Sequence, residues 1–268
     1  MTEGLHIADI VAGYGRRRVI DGLTLPPVPP GTVVGLIGAN GSGKSTLLKT
    51  LAGLIGGTGH TRLGDHDLRR LSPALRARLV GYLPQTVMRP SSLAVYEVLL
   101  SALRATWPEL TRARADQRIE AVLADMAVTD LAMRPLGALS GGQRQMIGLA
   151  QVLVRAPRLM LLDEPTSALD LRWQLSVLER VRGEARDRRA IALVAIHDIN
   201  LALRFCDRVV VLGEGLIAAG PPAEALTPAV LRRAFGVTAR IETCSHGRPI
   251  VVTDGVAAGA IRDQEDIP

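Results

Sequence analysis

Residues Gly38, Ala39, Asn40, Gly41, Ser42, Gly43, Lys44, Ser45 and Thr46 spell GANGSGKST, which fits the pattern G-x-x-x-x-G-K-[ST]. Glycines at that spacing let a backbone curl until its N–H groups point inward at a phosphate. A helix starting there adds the positive end of its dipole. In such a loop Lys44 reaches the β and γ phosphates of a nucleotide, and the Ser45 hydroxyl holds Mg²⁺. The lysine is itself informative, because of 32 basic residues all but Lys44 and Lys49 are arginine. A compact ammonium fits between phosphates where a broad guanidinium does not.

Further along, Asp163 and Glu164 directly follow the apolar run LMLL. Carboxylates at the C-terminal edge of a buried strand face the crevice where open α/β sheets bind ligands. Asp163 suits an outer Mg²⁺ contact, and Glu164 suits polarising an attacking water. An acidic pair can also cap a following helix; the phosphate loop tips the reading toward catalysis. His197 follows IALVAI as Asp163 follows its own run, so a shared sheet would bring the two ends together. Taken alone, His197 and Gln85 read as solvated residues at strand ends, and Tyr14 in GYGRR as a turn residue or a base-stacking aromatic. GALSGGQRQM, Gly137 to Met146, is a second glycine-rich helix start. There Ser140 is a good N-cap, Gly141 and Gly142 expose backbone N–H groups, and Gln143 begins the helix. It looks like an anion site, yet no strand precedes it, and a simple capped helix is the better local account.

These groups need a scaffold. Short apolar runs alternate with helical patterns, which predicts a parallel-stranded α/β core. Residues 5–25 are expected to form two or three short strands joined by glycine turns at Gly13, Gly15 and Gly22. TVVGLI (32–37) is a buried strand feeding the phosphate loop, STLLKTLAGL is the helix after it, and RLVGYLPQ (78–85) is a strand stopped by Pro84. From about Thr86 to Ala156 the strands cease. VYEVLLSALR and IEAVLADM carry helical spacing instead, predicting an all-helical insertion. Strands resume with LMLLDEP, AIALVAIHD and RVVVLG; a helix near PAVLRRAFG and a hairpin from Val237 to Val252 come after them. The last dozen residues are expected to be mobile.

The chain has 268 residues, 47% of them apolar, enough for one substantial core with or without a satellite. No run approaches the roughly 18 apolar residues of a membrane-spanning helix. MTEGLHIADI lacks the basic start and apolar stretch of a secretion signal, so a soluble, cytoplasmic protein is expected. A net charge of +6 raises nucleic acid or an anionic membrane as partners. However, the arginines of TRARADQR and RVRGEARDRR are mixed with acids and not interleaved with aromatics, which favours a solvated helix face over nucleic acid. Cys206 and Cys244 lack metal-binding spacing and read as free thiols.

Together, GANGSGKST, Gln85 after YLP, LSGGQ (139–143), LMLLDEP, SALD (167–170) and AIHD (195–198) resemble the ATP-binding subunit of ATP-binding cassette (ABC) transporters. The elements keep that family's order and spacing over nearly the whole chain, and LSGGQ beside a phosphate loop is the most specific of them. The resemblance implies an α/β fold: a P-loop NTPase, RecA-like core with an antiparallel β subdomain and an inserted all-helical subdomain. It divides the chain into a core of residues 1–85 and 157–220 within a single domain 1–236, a helical subdomain 86–156, and a small extension 237–268. It also implies an ATPase using ATP and Mg²⁺, working as a homodimer packed head to tail. The turn Ser140, Gly141, Gly142, Gln143 of one copy then covers the γ phosphate held by the other. By the same resemblance Tyr14 stacks on adenine, and Gln85 touches Mg²⁺ and water and couples to the membrane partner. Asp170 communicates across the dimer, and His197 holds the γ phosphate.

Ala39, the proline-rich PPVPPG (26–31) and Met146 depart from commoner forms without touching that chemistry. The expected partners are a second copy, integral-membrane permease subunits and a substrate-binding protein, at the cytoplasmic face of the cell membrane. Within the family, LSGGQRQMIGLAQVLVRAPRLMLLDEPTSALDLRWQL and GRPIVV most resemble ATPases of iron–siderophore importers. Haem, vitamin B12 or metal-ion importers are the near alternatives, and an exporter's ATPase a more distant one.

Overall fold

The computed structural model describes residues 3–86 and 88–257. The closing stretch expected to be mobile lies largely outside them. Strands β1 (Leu5–Tyr14) and β2 (Arg17–Val28) come first, followed by β3 (Val33–Ile37), helix α1 (Lys44–Ala52) and strands β4 (Gly57–Leu63) and β5 (His66–Asp67). After α2 (Pro73–Leu79) and β6 (Val80–Leu83) the chain leaves the sheets for α3 (Val95–Thr106), α4 (Arg112–Asp125) and α5 (Gly141–Leu153). It returns through β7 (Leu159–Asp163), α6 (Leu171–Arg188), β8 (Ile191–Ala195), α7 (Ile199–Phe205), β9 (Arg208–Gly213) and β10 (Gly215–Gly220). The short helices α8 (Pro222–Ala225) and α9 (Pro228–Phe235) lead into the hairpin of β11 (Val237–Thr243) and β12 (Pro249–Val256).

Two larger sheets result. An antiparallel one is ordered β2-β1-β4-β5; a six-stranded one is ordered β10-β9-β3-β8-β7-β6 and is parallel except for β10. The parallel strands are mostly apolar along their length because both faces are covered. Their side chains alternate between two cores. Val34, Leu36, Leu161 and Leu193 pack with Leu47, Leu48 and Leu51 of α1 and with Ile7 and Ile10 of β1. Ile37, Met160, Leu162 and Val194 face the other way, into a core continuous with the helices of the insertion. Those helices bury the residues that the 3.6-residue period selects: Val95, Val98, Leu99 and Leu103 on α3, and Ile119, Val122 and Leu123 on α4.

The expected β3, β6, β7, β8 and β9 all form, as does the terminal hairpin. The opening segment differs from its expectation. It is two long strands with one turn, at Gly15, while Gly13 and Gly22 lie inside strands. A Cβ at Gly13 would overlap the Arg17 carbonyl, and Gly22 takes a φ of +69° at an irregular point in β2. Both glycines therefore bend or tighten a strand and do not end it.

Candidate functional site

Parallel strands lying side by side carry their C-terminal ends to one edge of the sheet. The register pairs Leu36 with Ala195, Ala195 with Asp163, and Leu162 with Leu83. The residues just past each strand are therefore level: Gly38 after β3, His197 after β8, Glu164 after β7 and Gln85 after β6. Four segments far apart in sequence meet there.

The phosphate loop is curled as the motif requires. Gly41 and Gly43 take φ of +80° and +96°, which favour glycine. Lys44 is buried, its Nζ donating to the Gly38 carbonyl at 2.7 Å and the Ala39 carbonyl at 3.0 Å. Burial lowers the Lys44 pKa, opposed by the nearby Glu164 and Asp163 carboxylates. The Ser42 hydroxyl is buried in the loop with no hydrogen-bond partner among the described residues. An inward-curled backbone with an orphan hydroxyl and an ammonium resting on its own carbonyls fits an incoming polyphosphate. Ser45 Oγ donates to Asp163 Oδ1 at 2.8 Å, and Asp163 is 1% exposed. Burial pushes the Asp163 carboxyl up; the Ser45 hydrogen bond opposes this. Two hard oxygen ligands side by side, one of them a buried carboxylate, fit Mg²⁺.

Glu164 adopts a φ of +53°, a left-handed conformation that costs a non-glycine residue on the order of 1–3 kcal/mol. Its carboxylate is held from both sides. Gln85 Nε2 donates to Oε2 at 2.8 Å, and His197 Nε2 lies 2.5 Å from Oε1. The strained backbone thus aims a carboxylate across the mouth of the loop, with two side chains fixing its orientation. Tyr14, Asn40, Gly41, Gly43, Lys44, Ser45, Thr46, Gln85, Glu164 and His197 all line one cleft of about 680 Å³. Arg17 and Val19 line it too, though no motif marks them. They arrive because the β1–β2 pairing sets Arg17 opposite Tyr14.

The second glycine-rich turn does not join this cleft. Ser140, Gly142, Gln143 and Asp170 border a separate hollow of about 340 Å³ with Trp173. Ser140 Oγ accepts from the Gln143 N–H at 3.2 Å while Gln143 Oε1 accepts from the Ser140 N–H at 3.0 Å, a reciprocal cap for α5. Asp170 caps α6, accepting from the Trp173 N–H at 3.0 Å. The next residue, Leu171, is 78% exposed.

This chain belongs to the ABC transporter family, whose sequence model matches residues 25–167. It is the ATP-binding subunit of such a transporter, an ATPase whose hydrolysis is coupled to transport. It is similar to the hemin import ATP-binding protein HmuV of Bordetella avium, 39% identical over 88% of this chain and 94% of the relative. The protein of the same name from Pseudomonas entomophila is 39% identical over 94% of this chain and 98% of its own length. Among solved structures, an inward-facing ABC transporter described as of the metal-chelate type matches with a TM-score of 0.79 at 25% identity. That match covers 95% of this chain and 98% of that one. Among the described residues no helix is long and apolar enough to cross a membrane, and such subunits act with membrane permease components.

Proposed function

We propose that this subunit drives import of an iron-bearing chelate, through ATP-dependent closing and opening of a dimer of two copies. The Glu164 carboxylate, clamped between Gln85 and His197 in one cleft with Lys44 and Ser45, is the observation that carries the hydrolysis in this reading, and the hemin-import relatives carry the cargo. The loop Gly38–Thr46 binds the triphosphate through backbone N–H groups and Lys44, with Tyr14 against the base. Ser45 and Asp163 would hold Mg²⁺, with Gln85 beside them; the ion supplies charge neutralisation on the phosphate oxygens. Glu164 accepts a proton from the attacking water, and His197 holds the γ phosphate in line.

One half of the pocket is missing from each copy. In this reading a second molecule covers the cleft's open side. The Ser140–Gln143 turn, with Asp170 and the exposed Leu171, is the surface suited to cover the partner's cleft. ATP then favours the closed pair because only that pair surrounds it, and hydrolysis removes the preference. The insertion 86–156 and the Gln85 segment are the surface proposed to meet the permease, at the cytoplasmic face of the membrane, with a substrate-binding protein delivering cargo.

The motif resemblance favours siderophore complexes, whereas the hemin-import relatives favour haem, which we take as the leading cargo. Purified with its permease, the complex should show ATPase stimulation by hemin-loaded binding protein and not by a ferric-siderophore one; the reverse result reassigns the cargo. Glu164→Gln should lower turnover by about 10²–10³ while preserving ATP binding and trapping the dimer. Turnover within about twofold of wild type removes Glu164 from the chemistry.

A further inference from the structure

We infer that Asn200 is a positioning residue for His197, holding the His197 turn against the C-terminal hairpin. The inference rests on the proposed role of His197 at the γ phosphate.

Asn200 lies three residues past His197, in the first turn of α7. Its side chain pairs with the backbone of Val251 in β12 as a neighbouring strand would. Asn200 Oδ1 accepts from the Val251 N–H at 2.8 Å, and Asn200 Nδ2 donates to the Val251 carbonyl at 3.2 Å. The Asn200 backbone is tied as well, its N–H donating to Asp198 Oδ1 at 2.8 Å, an oxygen that also accepts from the Leu201 N–H at 3.1 Å. Asp198 directly follows His197. A continuous path of hydrogen bonds and covalent bonds therefore runs from the hairpin to the imidazole that stands 2.5 Å from Glu164.

Among the described residues, the imidazole's one hydrogen-bond partner is Glu164. The His197 side chain is 45% exposed, and α7 has only seven residues with which to fix the turn. The hairpin contributes nothing else to the cleft, since none of its residues lines it. Two hydrogen bonds to a main chain, in a fixed fork, are how a distant element can set the turn's position. A displacement of about 1 Å at a reacting group is enough to cost up to about 10² in rate.

The test uses the full chain in steady-state ATPase assays. Asn200→Ala should lower kcat about tenfold, with KM for ATP within about twofold of wild type. Val251→Pro, which removes the N–H donor from the other side of the clamp, should give the same split. On a His197→Ala background, Asn200→Ala should cost nothing further, because its effect passes through the imidazole. An equal further loss on that background overturns the inference, as does an Asn200→Ala turnover within twofold of wild type beside a crippled His197→Ala. If His197→Ala itself turns over normally, the reading of His197 falls first and takes this one with it.

Discussion

The two glycine-rich helix starts differ in what requires their glycines. At α1 the fold demands them. The N-cap Gly43 takes a φ of +96° and offers no side-chain cap, and a Cβ there would press on Ile20. The first-turn N–H groups are left to whatever the loop encloses. At α5 the helix caps itself through Ser140 and Gln143, and neither Gly141 nor Gly142 has a positive φ. A Cβ at Gly141 would meet nothing within 4 Å. Alanine there would suit a lone chain better, since glycine in a helix costs up to about 1 kcal/mol. One start is a cradle shaped by its own chain; at the other, Gly142 is tight against the Ala168 carbonyl while Gly141 faces open space, bare as the proposed contact with a second copy would need.

Ser140→Arg tests that contrast most severely. A guanidinium on the outward face of α5 should abolish ATP-driven dimers in light scattering while leaving monomer ATP affinity within about twofold. Normal dimers would mean that no second copy lands there. Lys44→Ala is the converse, expected to weaken ATP binding by the monomer about 10²-fold, the loss typical of charge-assisted hydrogen bonds. Mixing the two variants sharpens the comparison. The loop of the arginine variant and the intact α5 turn of the alanine variant can still form one complete pocket, so a mixture should give more ATP-driven dimer than either variant alone. Gly141→Ala is gentler, with a slightly higher Tm by calorimetry and about tenfold weaker dimerisation. A Tm gain with unchanged dimers would show the glycine to be incidental.

Much of the cleft was legible in the sequence because buried parallel strands give uninterrupted apolar runs, and the residues just past those runs share one edge of the sheet. TVVGLI, LMLL and IALVAI are such runs, and they carry the placement of Lys44, Glu164 and His197. The half-exposed strands were not. GTGHTRL in β4 alternates glycine with polar residues and has no apolar period, and the fold of β1 on β2 hid Arg17 and Val19. Gly13 and Gly22 read as turns because a glycine's letter does not distinguish ending a strand from bending it. The left-handed backbone at Glu164 and the Asn200–Val251 pairing are set by tertiary contacts, and local sequence carries no trace of either.

Asp163 lies beneath the cradle, where burial raises its carboxyl pKa. A carboxyl whose folded pKa exceeds its unfolded value supports the fold when protonated. That support is complete below the ordinary carboxylate range, near pH 3.9, and is lost as pH rises through the raised value. Above the raised value the ionised Asp163 therefore weighs against the nucleotide-free fold. Asp163→Asn keeps an Oδ1 acceptor for the Ser45 hydroxyl and removes the charge, so it should raise Tm at pH 7 by up to about 4 °C. The gain should shrink as the pH falls through the raised value, where wild-type Asp163 takes up its proton, and vanish below the ordinary carboxylate range. ATP hydrolysis should be lost at every pH. Added Mg²⁺ with nucleotide should stabilise wild type more than the variant, because the variant lacks the Asp163 charge that the ion would offset. A variant that melts lower at pH 7 would mean that the hydrogen bond from Ser45 outweighs burial, and that the carboxylate is at ease in the cleft before any ligand arrives.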